Sequence, residues 1–319
     1  MHIAANRNIG EHATELLAFL RQRQSENVRC ALVTIVDFVG SSSRCLGSHM
    51  VVCESGEYVG SVSSGCLDGN VAAVALQSIE DGLQKKIRFG EGSPFVDVKL
   101  PCGGGVELLI IPDPNPALIN TIVDVLLRRE ECSVLLCDDG LHVSPNVLPT
   151  NQLDVGFCVH YEPRLKIIAA GRGYELNSMV NLSVAAGFEV IALGPDQVDL
   201  EVCEKLGGHS QQLDTIDMDP MIQADQWTAI ILLFHDHEWE QNILISALNT
   251  SAFYIGALGS RQTHANRLDG LRREKIAENK LRQIRGPIGL VPSQRNTSML
   301  AISALAEIIE TFRQKVSST

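Results

Sequence analysis

The stretch LKIIAAGRGYELNSMV, Leu165 to Val180, decides how the second half of the chain folds. Its first six residues are almost wholly apolar, as in a strand buried on both faces. Gly171-Arg172-Gly173 interrupts the run, and a helical pattern follows. Strand, G-x-G turn and helix, in that order, open a Rossmann-type unit. There the turn lets backbone amides approach a phosphate at the helix N-terminus. Gly171 and Gly173 are therefore candidate cofactor-binding residues, with NAD(P) as the cofactor to test. The third fingerprint position is Leu176, where glycine or alanine would pack more closely. The next strand ends on Gly194, where an acid would hold the ribose, and Asp196 lies two residues late. Two readings stand: the loop of an NAD(P)-dependent oxidoreductase, and a glycine turn in a non-catalytic scaffold.

Outward from this turn the pattern repeats. FEVIAL (188–193), TAIILLF (228–234) and AFYIGALG (252–259) read as strands, and EQNILISALN (240–249) as a helix between the last two. Such alternation predicts an α/β unit, a doubly wound parallel sheet with helices on both faces. The final NTSMLAISALAEIIETFRQ (296–314) predicts an amphipathic helix that closes the core. FHDHEWE follows a strand at the carboxyl edge of the sheet, and only His235 and His237 of its polar run would share a face as metal ligands. A helix capped by Asp236 with an acidic first turn is the other reading. Ser260 is the expected cap of a further helix.

The first half is mixed. A helix is expected from Gly10 to Gln24, with Leu16, Leu17 and Leu20 on one face. RCALVTIVDF (29–38) is a buried strand, and MVVCES and EYVGSV are strands around a Ser-Gly turn. LDGNVAAVALQSIEDG (67–82) is a helix stopped by Gly82; KKIRF and GVELLIIP are strands, and PALINTIVDVLLRRE is a helix. The domain boundaries that follow are 1–160, a small N-terminal α/β domain, and 161–319, a Rossmann-like domain.

Three loops of this first half carry small residues around polar ones: GSSSRCLGSH (40–49), SVSSGCLDGN (61–70) and LPCGGG (100–105). Cys66 and Cys102 are either small hydrophobes in tight turns or ligand-facing thiols. The other cysteines form no C-x-x-C pair, which excludes a zinc knuckle or thioredoxin-type site.

Composition narrows the function. Hydrophobic residues make up 45% and charged residues 20%, as in globular proteins. With 26 Lys and Arg against 38 Asp and Glu the net charge is −12, which argues against nucleic-acid binding. The apolar runs are too short to span a membrane, and no export signal opens the chain, so a cytoplasmic protein with reduced thiols is expected.

Taken in order, GSSSRCLGSHMVV, GSVSSGCLDGNV, LPCGGGVELLIIP, the Gly171 turn, HDHE, YIGALGSR, GPIGL and AISALAEII resemble the XdhC/CoxI family, the xanthine dehydrogenase accessory proteins. The resemblance covers most of the chain. It implies a small α/β domain followed by a Rossmann-like domain, and an accessory protein rather than an enzyme. Such a protein binds the molybdenum cofactor, a molybdopterin, protects it while a cysteine desulfurase sulfurates it, and loads it into a molybdenum hydroxylase. The resemblance also implies a homodimer. The carried-over site residues are Ser41, Ser42, Arg44 and Gly47, then Gly65, Cys66 and Asp68, then Cys102, Gly103 and Gly104. Cys66 and Cys102 are the expected contacts to molybdenum or sulfur. The chain departs from the family pattern at Ser43, Ser64, Asp68, Tyr174 and Gly194.

Overall fold

The computed structural model describes residues 4–5, 11–40, 42–93, 104–216, 222–235 and 238–316. The chain divides between Pro163 and Arg164 into two units. In unit 1, β1 (Ala4–Ala5), α1 (Ala13–Ser25), β2 (Cys30–Val39), β3 (His49–Cys53) and β4 (Glu57–Gly60) come first. They are followed by α2 (Asp68–Asp81), β5 (Lys85–Gly90), β6 (Gly105–Pro112) and α3 (Pro116–Leu127). The strands form one sheet in the order β1-β4-β3-β2-β6-β5, antiparallel except for the β1–β4 pair. Alternation along β2 explains why both faces are covered. Cys30, Leu32 and Val36 face α1 and α3, while Ala31, Val33 and Ile35 face α2. Each fully buried leucine or isoleucine of such a core contributes about 1.5–3 kcal/mol.

The helix expected from Gly10 starts at Ala13, because His12 caps it with a side-chain bond from the Thr14 amide at 3.2 Å. The segment 131–161 has short strands whose periodicity predicts nothing alone, yet it forms a second sheet. Its strands are β7 (Cys132–Cys137), β8 (Gly140–Val143), β9 (Asn151–Leu153) and β10 (Gly156–Tyr161), antiparallel in the order β8-β7-β10-β9. Val134, Leu136, Phe157, Val159 and Tyr161 join the α1–α3 side of the core.

Unit 2 runs β11 (Lys166–Gly171), α4 (Gly173–Ala185), β12 (Glu189–Gly194), α5 (Gln197–Lys205) and β13 (His209–Gln212). It continues with β14 (Thr228–Leu233), α6 (Glu240–Ala247), β15 (Tyr254–Ala257), α7 (Arg261–Arg273), α8 (Glu278–Leu281), β16 (Ile284–Arg285) and α9 (Thr297–Val316). All strand pairs are parallel, in the order β13-β12-β11-β14-β15-β16. Renumbered within the unit this is 3-2-1-4-5-6, the order of dinucleotide-binding folds, with its switch point beside β11. Successive residues of β11 serve opposite faces. Ile167 and Ala169 pack with α4, α5 and α9, and Ile168 and Ala170 with α6, α7 and α8. The closing helix is thus where its apolar stripe placed it. Ser260 caps α7 as its sequence implied, its Oγ accepting from the Thr263 amide at 3.1 Å. The helix after β14 begins at Glu240, with Trp239 at its cap position, and Asp236 lies outside the described residues.

Candidate functional site

Antiparallel pairing brings the polar loops of unit 1 to one edge of its sheet. β2 and β4 both run against β3, so their carboxyl ends share that edge, and Val39 pairs with Gly105 at the start of β6. The loops 40–48, 61–67 and the approach to β6 therefore converge. Ser64 Oγ donates to Ser43 Oγ at 3.2 Å, joining the second loop to the first. A Cβ on Gly40 would stand 3.4 Å from the Gly104 Cα, so the first loop also lies against the third. Ser41, Cys102 and Gly103 lie outside the described residues.

Asp68 organises the second loop. It is the first residue of α2 and is buried. Its carboxylate accepts from Ser61 Oγ (2.7 Å), Ser63 Oγ (2.8 Å) and the amides of Val62 and Ser63 (both 3.1 Å). Ser63 Oγ in turn accepts from the Leu67 amide at 2.7 Å, and Ser61 Oγ from that of Ser64 at 2.9 Å. Expected to face a ligand, Asp68 instead turns its oxygens to the loop's own donors. The result is a rigid crescent, with Ser64 at φ 55° and Gly65 at φ 105° forming its apex. The Gly65 φ belongs to the left-handed region that a side chain strains. Cys66 follows, exposed, with its Sγ 3.2 Å from the Ser63 carbonyl oxygen, immediately before the N-terminus of α2. A thiol there meets the positive end of a helix.

Arg44 lies in the first loop, its amide held by Ser42 Oγ at 3.2 Å. Its two terminal nitrogens grip the carboxylate of Glu11, and its Nε is buried without a partner. The hydrogen-bonded Glu11 carboxylate raises the guanidinium pKa further, helped by the charge of Asp68. Arg44 is thus a fixed cation whose fork already holds an anion. Sequence reasoning named neither Glu11 nor the exposed Cys45, the second accessible thiol of the crescent. Glu11 lacks any motif and is remote in sequence, and Cys45, although inside GSSSRCLGSH, reads as one more small residue of that loop. A Cβ on Gly47 would stand 3.2 Å from side-chain atoms of Thr150 and Val159, so the first loop lies close against both.

Behind this edge, Thr34 Oγ1, His49 and Tyr161 form a buried chain, with 2.9 Å from Thr34 to Nδ1 and 2.7 Å from Tyr161 to Nε2. Burial pushes the His49 pKa down to about 4. His49 and Tyr161 also line a cavity of about 260 Å³ with Glu11, His12, Gly47 and His160.

In unit 2 the glycine turn is also built for close approach. A Cβ on Gly171 would lie 2.8 Å from that of Leu233, and one on Gly194 would lie 2.7 Å from the Gly171 carbonyl oxygen. Gly194 is therefore fixed by packing, which is why no acid stands there. Leu176 is fully buried in the core. The Gly173 amide donates to Asp199 Oδ2 at 2.6 Å, and Asn177 Nδ2 to Oδ1 at 3.4 Å. Asp196 pairs with Arg172 at 3.6 Å. A carboxylate of α5 thus takes the amide that a phosphate would use. His235 bonds Glu175 at 3.1 Å, while His237 lies outside the described residues.

Comparison with known proteins gives a consistent set of likenesses. Residues 23–90 match the XdhC and CoxI family, and residues 167–308 match the XdhC Rossmann domain. The chain is 33% identical over 309 residues to the molybdenum cofactor insertion chaperone PaoD of Escherichia coli (strain K12), across 93% of this chain and 88% of that one. It is 24% identical over 340 residues to a probable xanthine dehydrogenase subunit of Bacillus subtilis (strain 168), covering 96% of this chain and 99% of that one. The crystal structure of a xanthine dehydrogenase from Bacillus halodurans superposes with a TM-score of 0.76 at 18% identity, covering 93% of this chain and 96% of that one. This last likeness is one of fold. No helix among the described residues is long and apolar enough to cross a membrane.

Proposed function

We propose, for a chain that belongs to the XdhC and CoxI family, that it is a cytoplasmic insertion chaperone whose unit 1 crescent carries the molybdenum cofactor to a molybdenum hydroxylase. The observation that carries this reading is the juxtaposition of an exposed thiol, a fixed guanidinium and serine-glycine loops at one helix N-terminus. The cofactor, here cargo, offers a phosphate, a dithiolene and an anionic metal-oxo head. Each group meets a suited partner. Arg44 supplies a forked donor to the anions once Glu11 yields it. Ser42, Ser43 and Ser64 supply hydroxyls, and the exposed backbone at Gly65 permits close approach. Cys66 supplies a soft sulfur ligand for molybdenum, or a relay for sulfur delivered by a cysteine desulfurase. Gly104, which lies against the first loop, adds a third wall. Asp68 acts at one remove, by holding the loop that presents Cys66. A second copy of the chain is the expected assembly partner.

Protein isolated from a host that makes the cofactor is assayed for molybdenum and pterin. The wild type is expected to carry both, and Cys66→Ala to carry at least tenfold less. A Cys66→Ala variant, folded by circular dichroism, that carries the wild-type load removes the thiol from the site.

A further inference from the structure

The β7–β8 hairpin sits apart in sequence from the crescent and presents its own donor set. Cys137 ends β7, Asp138 and Asp139 make the turn, and Gly140 opens β8. In the antiparallel register Cys137 faces Gly140 and Leu135 faces His142. Cys137 and His142 are therefore diagonal neighbours on one face of the sheet. Asp139 reaches the same place from the turn, its Oδ1 2.9 Å from His142 Nε2. One donor atom from each of Cys137, Asp139 and His142 lies within 4.8 Å of the others.

The surroundings leave room at the sulfur. On one neighbouring strand Cys137 faces Gly140, where an added Cβ would meet nothing within 4 Å. On the other stands Gly156, where an added Cβ would lie 3.2 Å from Cys137 Sγ. Glycine on both sides leaves the thiol laterally uncovered. Gln84 Nε2 donates to the Cys137 carbonyl at 3.1 Å and fixes the strand end.

We infer that this hairpin binds one zinc-class divalent cation through Cys137 Sγ, a carboxylate oxygen of Asp139 and the imidazole of His142, with water in the fourth position. A mixed sulfur, nitrogen and oxygen set suits a borderline cation. Ligand atoms around tetrahedral zinc stand roughly 3.3–3.8 Å apart, so small rotations of these partly exposed side chains close the set. Binding forms the metal–sulfur bond and releases the Cys137 thiol proton to solvent, with no change of oxidation state. Thiolate and carboxylate then balance the two positive charges. Nothing in this site depends on the crescent or on its cargo.

The test uses the full chain, stripped with a chelator and titrated with cobalt(II). One equivalent is expected to give thiolate-to-cobalt absorption in the near ultraviolet and tetrahedral bands in the visible, both abolished by one equivalent of zinc. Cys137→Ser is expected to remove the near-ultraviolet band. His142→Ala, at an exposed position that folding tolerates, is expected to weaken binding at least tenfold. Cys66→Ser is expected to leave both bands in place. Absence of the bands in the wild type overturns the inference. So does a near-ultraviolet band that survives Cys137→Ser, a cobalt affinity unchanged in His142→Ala, or bands that vanish with Cys66→Ser.

Discussion

In each unit there is a corner where a strand passes through a glycine turn into a helix, and each of these two corners is served by its own aspartate. The two aspartates sit differently. Asp68 lies beneath its turn and takes the amides of Val62 and Ser63, leaving Gly65 and Cys66 on the outside. Asp199 reaches over from α5 and takes the amide of Gly173, the first residue of α4. The first carboxylate shapes a surface; the second fills the place where a phosphate would bind. A glycine turn therefore says that close approach is allowed, and the nearest carboxylate says whether a ligand or the protein uses it.

The contrast between the corners breaks most forcefully at the aspartates. Asp68→Ala removes a buried acceptor of four hydrogen bonds and is expected to cost about 3 kcal/mol in urea unfolding. Asp199→Ala removes two bonds at a half-exposed site and is expected to cost about 1 kcal/mol. Equal costs would mean that the two corners are held alike. Acid sharpens the contrast further, since the His49 chain belongs to unit 1 alone. Its folded pKa of about 4 lies below the ordinary 6.5, so folding resists protonation. Stability is fully present above pH 6.5 and is lost as pH falls towards 4, by about 3 kcal/mol. His49→Gln is expected to flatten that part of a denaturation profile between pH 7 and 4.5; an unchanged profile refutes the assignment.

Glycine substitutions separate the two turns by mechanism. Gly194→Ala forces a Cβ to within 2.7 Å of a carbonyl oxygen and is expected to cost about 2 kcal/mol through displaced backbone. Gly65→Ala meets open space and is strained only by its φ, about 1 kcal/mol, so its thermal midpoint should fall less. The smallest change is Glu11→Gln. The ion pair it removes is partly exposed and contributes under about 1 kcal/mol. Freed of its competitor, Arg44 should bind the cofactor several-fold more tightly, measured as retained molybdenum. Weaker retention would show that Glu11 positions Arg44 rather than blocks it.

Much of the fold was legible because buried parallel strands announce themselves. Ile167-Ile168 and Ala229-Ile230-Ile231-Leu232 serve both faces of a sheet and are apolar throughout. The β7–β10 sheet was not legible, since β8 and β9 are short and half polar, and only the packing of Leu136, Phe157 and Val159 gives them a core to cover. In the candidate site composition left Cys66 open between a buried turn and a ligand-facing thiol, and only the family resemblance grouped its loop with Arg44's; the strand register and the Ser64–Ser43 bond bring the two loops together. The role of Asp68 was not legible: a carboxylate reads the same in sequence whether it faces a ligand or its own loop. Asp199 and Glu11 carried no signal, because each reaches its partner across a gap that no periodicity spans.

The central claim is that cargo rests on the unit 1 corner and not on the glycine turn of unit 2. Its most direct test is the molybdenum-to-protein ratio of three proteins purified side by side from a cofactor-making host: wild type, Cys66→Ala and Gly173→Ala. The ratio is expected to collapse in Cys66→Ala and to stay at the wild-type level in folded Gly173→Ala. A ratio that holds in Cys66→Ala and collapses in Gly173→Ala would contradict the claim.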